Sequence, residues 1–249
     1  MNDQKNTSLV LNRERTVGHT GERVNIHHVI TEAPVFAKAS KASRDILTEQ
    51  ARTKSVPEGA MLMEQDARAS ELGLVVRGSA QLSRRGPFTS YLSLGLAGPG
   101  DAIGLHAIFR DAYYTETATA LETTEVLLIA ADVMHGLIDS DAGLCAGLRA
   151  WIANGRYDAE ARIASQLFRT VEGRLSEFLL HAADRFGVKT EQGTRIDAPL
   201  THLEIARHIG STRETVTLTL GSLRREGLLS TAGRRLIVVS SDALAARAQ

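Results

Sequence analysis

Two helical patterns joined at a single glycine, Leu200 to Gly227, constrain this chain more than any other stretch. Leu203, Ile205, Ala206 and Ile209 mark one apolar stripe, and Val216, Leu220 and Leu223 recur at four- and three-residue steps in a second. Each stripe needs the other to bury it. Thr201 with Glu204, and Ser211 with Glu214, have the spacing of a capping box, in which a hydroxyl and a carboxylate satisfy each other's free backbone N–H. Gly210 permits the left-handed backbone that ends a helix, so the second helix leaves at a steep angle, as in a helix-turn-helix. Its first turn projects Arg213, Glu214 and Thr217 outward. Those types suit base edges: arginine donates twice to guanine O6 and N7, glutamate accepts from cytosine N4, and a threonine or leucine methyl meets a thymine methyl.

The run Leu-Thr-x-x-Glu-Ile-Ala-x-x-Ile-Gly-Ser-x-Arg-Glu-Thr-Val, continued by Leu220, Leu223 and Glu226-Gly227-Leu228, resembles the DNA-binding domain of the catabolite-activator and fumarate-nitrate-regulator (Crp/Fnr) superfamily. That resemblance implies a transcription regulator, not an enzyme, working as a homodimer on double-stranded DNA with a near-palindromic site, with RNA polymerase as a further partner. Thr201, Ser211, Arg213, Glu214, Thr217 and Leu218 are the expected DNA-facing residues of the two helices. Members of the superfamily often carry a second arginine five residues after the Arg213 position, where this chain has Leu218. Beyond the helices, Leu228–Ser230 and Arg235–Val239 read as two strands joined by Thr231–Arg234, a wing whose Arg234 and Arg235 are expected to face phosphate.

A length of 249 residues leaves room for two domains with a core each. The net charge of +0 excludes a generally basic coat, so a DNA-binding surface must come from local segregation of charge. Cys145 is the single cysteine, which excludes an intrachain disulfide and a cysteine-ligated cluster, and its packed helical setting suggests inert core. No run of about 18 apolar residues is present. The expected location is cytoplasmic, away from membranes.

The fold expectation is α+β: an N-terminal jelly roll, or double-stranded β-helix, of the cyclic-nucleotide-binding type, a long dimer helix and a C-terminal winged helix-turn-helix. Residues 1–30 read as a loosely ordered polar arm with exposed His27 and His28, 31–138 as the sensor domain, 139–168 as the dimer helix and 169–249 as the DNA-binding domain. From Ser55 to Ala131 short strands are punctuated by glycine turns, with Leu72, Leu74 and Val76, then Leu92, Leu94 and Leu96, giving each strand one buried face. The jelly-roll resemblance rests on Gly59, Gln65-Asp66, Leu74-Val75-Val76-x-Gly78, Gly100-Asp101 and Gly104. Leu144, Leu148, Trp151 or Ile152, Gly155, Ala159, Ile163 and Gln166 or Leu167 form a near-heptad stripe along the long helix, weakened at Gly155. Packing on the chain's own barrel would leave the same stripe.

Members of the superfamily that bind cyclic nucleotides have Gly-Glu-Leu after the Gly-Asp turn, then Arg-Ser or Arg-Thr; the glutamate holds the ribose and the arginine the phosphate. Here Gly104-Leu105-His106-Ala107 and Tyr114-Thr115 stand in those places, so conventional cyclic-nucleotide binding is not expected. Arg110 is the nearby cation, expected to pair with Asp111. His106 is similar in position to the haem-ligating histidine of the carbon-monoxide-sensing activators, with a second ligand from the arm. The residues themselves imply no cofactor. The remaining readings are an apolar effector site against Leu105, Ile108, Tyr113 and Tyr114, a scaffold barrel without effector, and a metal-dependent cupin-like enzyme, for which His106 and His135 are too few ligands.

Overall fold

A computed structural model describes residues 25–87 and 91–248. Most of the expected arm lies outside these residues. Its end is a helix, α1 (Ile26–Glu32), capped by the Asn25 side chain, which accepts from His28 N at 3.1 Å. Ile30, fully buried, anchors α1, while His27 and His28 are exposed. A 3-10 turn at Pro34–Phe36 and α2 (Lys41–Gln50) follow.

Eight strands form two four-stranded antiparallel sheets. β1 (Arg52–Val56), β8 (Thr124–Ala130), β3 (Glu71–Arg77) and β6 (Ala102–Ile103) lie side by side in that order; β2 (Met61–Met63), β7 (Thr117–Ala120), β4 (Ala80–Arg85) and β5 (Tyr91–Ala97) make the other. Leu72, Leu74, Leu127 and Ile129 share one buried face of β3 and β8 and fill the barrel core. At Gly78 the backbone has φ +77°, and a Cβ would run into the carbonyl of Thr123; only glycine fits this strand exit.

Strand β5 departs from the expected alternation. Its register against β4 passes from Leu82↔Gly95 to Ser83↔Ser93, so Leu94 is an extra, bulged residue. Ser93 and Ala97 are therefore the buried positions, Leu92 is half exposed, and Leu96 turns outward to pack against the C-terminal unit.

The single helix expected from residue 139 starts a little later, at Ala142. α3 (Ala131–Ser140) ends at Asp141, whose extended backbone starts α4 (Ala142–Phe168). Asp141 accepts from Ser43 Oγ at 2.6 Å, Ser40 N at 2.8 Å and Leu144 N at 3.0 Å. These bonds, Ser43's foremost, hold its carboxyl far below the usual carboxylate range. They also pin α4 to α2. Leu144 and Leu148 are buried on the chain's own barrel, with Gly147 near the Val35 carbonyl, so the near-heptad stripe divides: its first third is intrachain core. Cys145 is half-buried.

The C-terminal unit comprises α5 (Val171–Phe186), β9 (Gly187–Thr190), β10 (Gly193–Ile196), α6 (His202–Ile209), α7 (Arg213–Arg225), β11 (Leu229–Ala232), β12 (Arg235–Val238) and α8 (Ser241–Arg247). The wing strands β11 and β12 continue into β10 and β9, giving one four-stranded sheet. Leu175, Leu179, Ile205, Val216, Leu220 and Leu223 meet in its core. Among the described residues no helix is long and apolar enough to cross a membrane.

Candidate nucleic-acid interface

Helix α6 starts with a complete capping box: Thr201 Oγ1 accepts from Glu204 N at 3.2 Å, and Glu204 Oε2 accepts from Thr201 N at 2.6 Å. Gly210, at φ +62°, ends it. The second expected box does not form. Thr212, one residue beyond Ser211, caps α7 by accepting from Thr215 N at 3.1 Å. Ser211 is held back because its own N–H closes the preceding helix on Ala206 O at 2.9 Å. Glu214 is thus at the second position of α7, exposed and free of the cap.

Arg213 and Glu214 are exposed, and neither makes an ion pair or side-chain hydrogen bond among the described residues. Leu218, one turn further on, is 75% exposed. Thr217 Oγ1 donates to Arg213 O at 2.8 Å and lies 2.8 Å from His202 Nδ1. With its one hydroxyl proton used, Thr217 accepts from an Nδ1–H of His202, and what it offers outward is its methyl. Burial, then the charges of Arg224 and Arg213, push the His202 pKa down.

The wing turns at Gly233-Arg234, with Ala232 opposite Arg235. Arg234 is exposed, but Arg235 does not face outward as expected. Its guanidinium is ion-paired with Glu122 of the barrel at 3.1 Å and Asp197 at 3.6 Å, with only 25% of the side chain exposed.

Other bonds join the two units as well. Arg162 of α4 donates to the carbonyls of Ser93 and Leu94, which the edge position of β5 and its bulge leave free. Ser93 Oγ lies 3.3 Å from His208 Nδ1, Arg207 covers the Tyr91 ring at 5.4 Å, and Arg185 pairs with Asp101.

In the barrel, the five expected effector residues do not converge. Tyr113 is 61% exposed. Tyr114 is a brace: its hydroxyl donates to Glu71 O at 2.7 Å and accepts from Glu71 N at 3.0 Å. Leu105 and Ile108 pack on the barrel core. His106 instead meets Thr115 at 3.1 Å from Nε2 and Glu116, which the sequence did not single out, at 3.9 Å from Nδ1. Arg110 pairs with Asp139 at 2.8 Å, not with Asp111, which is taken by Arg68. The site does not fit haem: Nε2 is engaged, Nδ1 is enclosed without a partner, and an anionic side chain adjoins them. Among the described residues no three His, Cys, Asp or Glu side chains gather as a metal site.

Residues 173–247 match the Crp-like helix-turn-helix domain, and residues 53–141 the cyclic nucleotide-binding domain. A CRP-like cAMP-activated global transcriptional regulator of Mycobacterium tuberculosis is 25% identical over 221 residues, 89% of this chain and 99% of that protein. Regulatory protein CysR of Synechococcus elongatus is 33% identical over 173 residues, 68% of this chain and 77% of that protein. The structure of FixK2 from Bradyrhizobium japonicum shares the fold, with a TM-score of 0.71 and 22% identity over 78% of this chain and 95% of that one. With both halves matched and a one-third-identical relative covering most of its length, the chain belongs to the Crp/Fnr family of DNA-binding transcription regulators.

Proposed function

We propose that this regulator reads a near-palindromic site as a homodimer, Arg213 donating to guanine, Glu214 accepting from cytosine and Leu218 meeting a thymine methyl. One observation carries this reading: the first two turns of α7 present an unpaired cation, an unpaired anion and a 75% exposed leucine side by side. Folding alone has no use for that set. Thr201 and Arg234 flank it as phosphate donors, while Ser211 and Arg235 are tied into the protein's own structure. Binding-site selection from random duplexes tests the assignment. Arg213→Ala is expected to erase one guanine preference per half-site and to cost about 2 kcal/mol in specific affinity. Selected sites that keep every guanine in the variant would overturn it.

Dimerisation is supported by α4. Ile152, Tyr157, Ile163, Leu167 and Phe168 are all exposed within one chain, the last three at 61–84%. An apolar helical face of that extent calls for a second helix.

For the barrel, we propose an effector that is not a conventionally bound cyclic nucleotide. One relative is cAMP-activated, but here Glu116, its side chain 17% exposed, adjoins His106 where a cyclic phosphate would need a cation. Thr115 gives its hydroxyl proton to Glu116 Oε2 at 3.1 Å and lies 3.1 Å from His106 Nε2, which holds the carboxylate beside the imidazole. Cyclic AMP at millimolar concentration is expected to leave the melting temperature unchanged. An increase of several degrees in the wild type would count against the exclusion, and one that Glu116→Gln leaves unchanged would count against the role of this carboxylate as well.

A further inference from the structure

The C-termini of α4 and α6 meet at one side chain. Arg174, the fourth residue of α5, donates to Arg169 O at 2.8 Å, from Nε to Ile209 O at 2.7 Å and from its remaining nitrogen to Gly210 O at 3.3 Å. Arg169 caps the C-terminus of α4, and Ile209 and Gly210 are the end and the cap of α6. Terminal carbonyls have no partner within their own helix and lie at the negative end of its dipole, so a cation placed there answers both needs. α4 has no basic residue in its last turn. α6 has two, but Arg207 lies over the Tyr91 ring and His208 is held neutral by burial. Arg174 supplies the charge to both helices, and it has no ion pair among the described residues to divert it.

Two further contacts tighten the joint. Glu177, one turn after Arg174, accepts from Ser165 Oγ and pairs with Arg169 at 3.6 Å, which fastens the end of α4 to α5. The amide of the exposed Gln166 in α4 lies so close to Gly210 that a Cβ there would stand 2.4 Å from its Oε1. Gly210 is the turn itself, and Thr212, two residues later, caps α7. Three carbonyls held by one planar fork fix an angle as well as a distance, which a single point charge cannot do. The direction in which α7 leaves the turn is thus set from the end of α4.

We infer that Arg174 is a positioning residue: it locks the angle between α4 and α7, and so sets the spacing between half-sites that the protein accepts. The inference rests on the reading of the protein as a two-fold dimer joined through α4, and it gives Arg174 no contact with bases. In such a dimer the separation and relative rotation of the two α7 helices follow from that angle. One base pair of spacer moves a half-site by about 3.4 Å along the DNA and about a tenth of a turn around it. A joint held on three carbonyls resists that displacement. A joint without the fork yields to it, and the optimal spacing loses its advantage.

Fluorescence anisotropy of the full-length protein tests this on three kinds of duplex: the selected operator, the same half-sites with the spacer one base pair longer or shorter, and a single half-site. The wild type is expected to bind the optimal spacing about 100-fold more tightly than either altered one. Arg174→Met should lose about tenfold on the optimal operator, change little on the altered ones and stay within about twofold on the single half-site. Arg174→Lys, with the charge but not the fork, should recover part of the affinity and little of the discrimination. Gln166→Ala, at an exposed position that carries no core packing, should narrow the discrimination in the same direction. A purely structural role for Arg174 would weaken every duplex by the same factor, the single half-site included, and ratios preserved in this way would overturn the inference. Should Arg174→Met fail to bind even the single half-site, Arg174→Lys and Gln166→Ala decide, and wild-type ratios in both overturn it. A wild type indifferent to the spacer would refute the two-fold reading and the role of Arg174 with it. A wild type that discriminates, with all three variants discriminating equally, refutes the role of Arg174 alone.

Discussion

Replacing Ile163 by aspartate is expected to convert the protein to monomers and to lower operator affinity by about 100-fold or more. Ile163 is 61% exposed in the single chain, so the substitution removes no intrachain packing. Its neighbours on the helix surface, Ala159 and Leu167, are exposed too, and from Ile152 to Leu167 only Arg162 and Ser165 are drawn into the rest of the chain. A helix of this length gains its stability from packing an apolar face, and none of the chain's own elements packs there. Two such faces meeting would place Ile163 against its counterpart or one turn from it; two aspartates there add like charges to a desolvated seam. Losing the dimer makes each half-site an independent binding event and forfeits the effective-concentration gain of two linked heads. Sedimentation velocity gives the association state and anisotropy gives the affinity. A dimeric Ile163→Asp protein with unaltered operator binding would refute α4 as the interface.

Much of this architecture was legible in the residue pattern where a local physical signal was strong. Gly210, the Thr201–Glu204 box and the stripes ending at Ile209 and Leu223 each report a backbone need or a buried face, and α6 and α7 follow them. Signals that depend on tertiary bonds were not legible. Thr212 displaces Ser211 as cap because Ser211's N–H is already used in closing α6. Asp141 moves the start of the long helix to Ala142, because Ser40 and Ser43, a hundred residues away in the chain, hold its carboxylate. A bulge at Leu94 reverses the alternation of β5, and Leu96 serves the contact between units instead of the barrel. Arg235 looked like a phosphate ligand because its ion-pair partners, Glu122 and Asp197, are remote in sequence. The site residue missed in the sequence, Glu116, has the same origin: it is an ordinary surface type whose meaning lies in what surrounds it.

The contact between units should also respond to acid. His208 stands on α6 against β5, its Nδ1 3.3 Å from Ser93 Oγ and its ring 4.6 Å from that of Phe178. Burial first, then the charges of Arg162 and His181, push its pKa down to about 3. The docked form therefore holds a neutral ring. For a base depressed in this way, the contribution to docking is complete above its ordinary value of about 6.5 and is lost as pH falls from there towards 3. On that basis docking weakens progressively as pH falls below about 6.5. His181, lowered by burial and by Arg185, acts in the same direction. Asp101, raised mainly by burial, acts in the opposite one, because a raised carboxyl binds protons more readily in the docked state. The bonds at risk are those that hold the C-terminal unit to the barrel, since His208 lies between the two and not within either core. Hydrogen exchange of the β5 and α6 amides is thus expected to accelerate below about pH 6 before the remaining strands lose protection. His208→Gln, which keeps a polar side chain without a titration in this range, should flatten that dependence. Identical pH profiles for wild type and variant would show that the joint does not sense the protonation of His208.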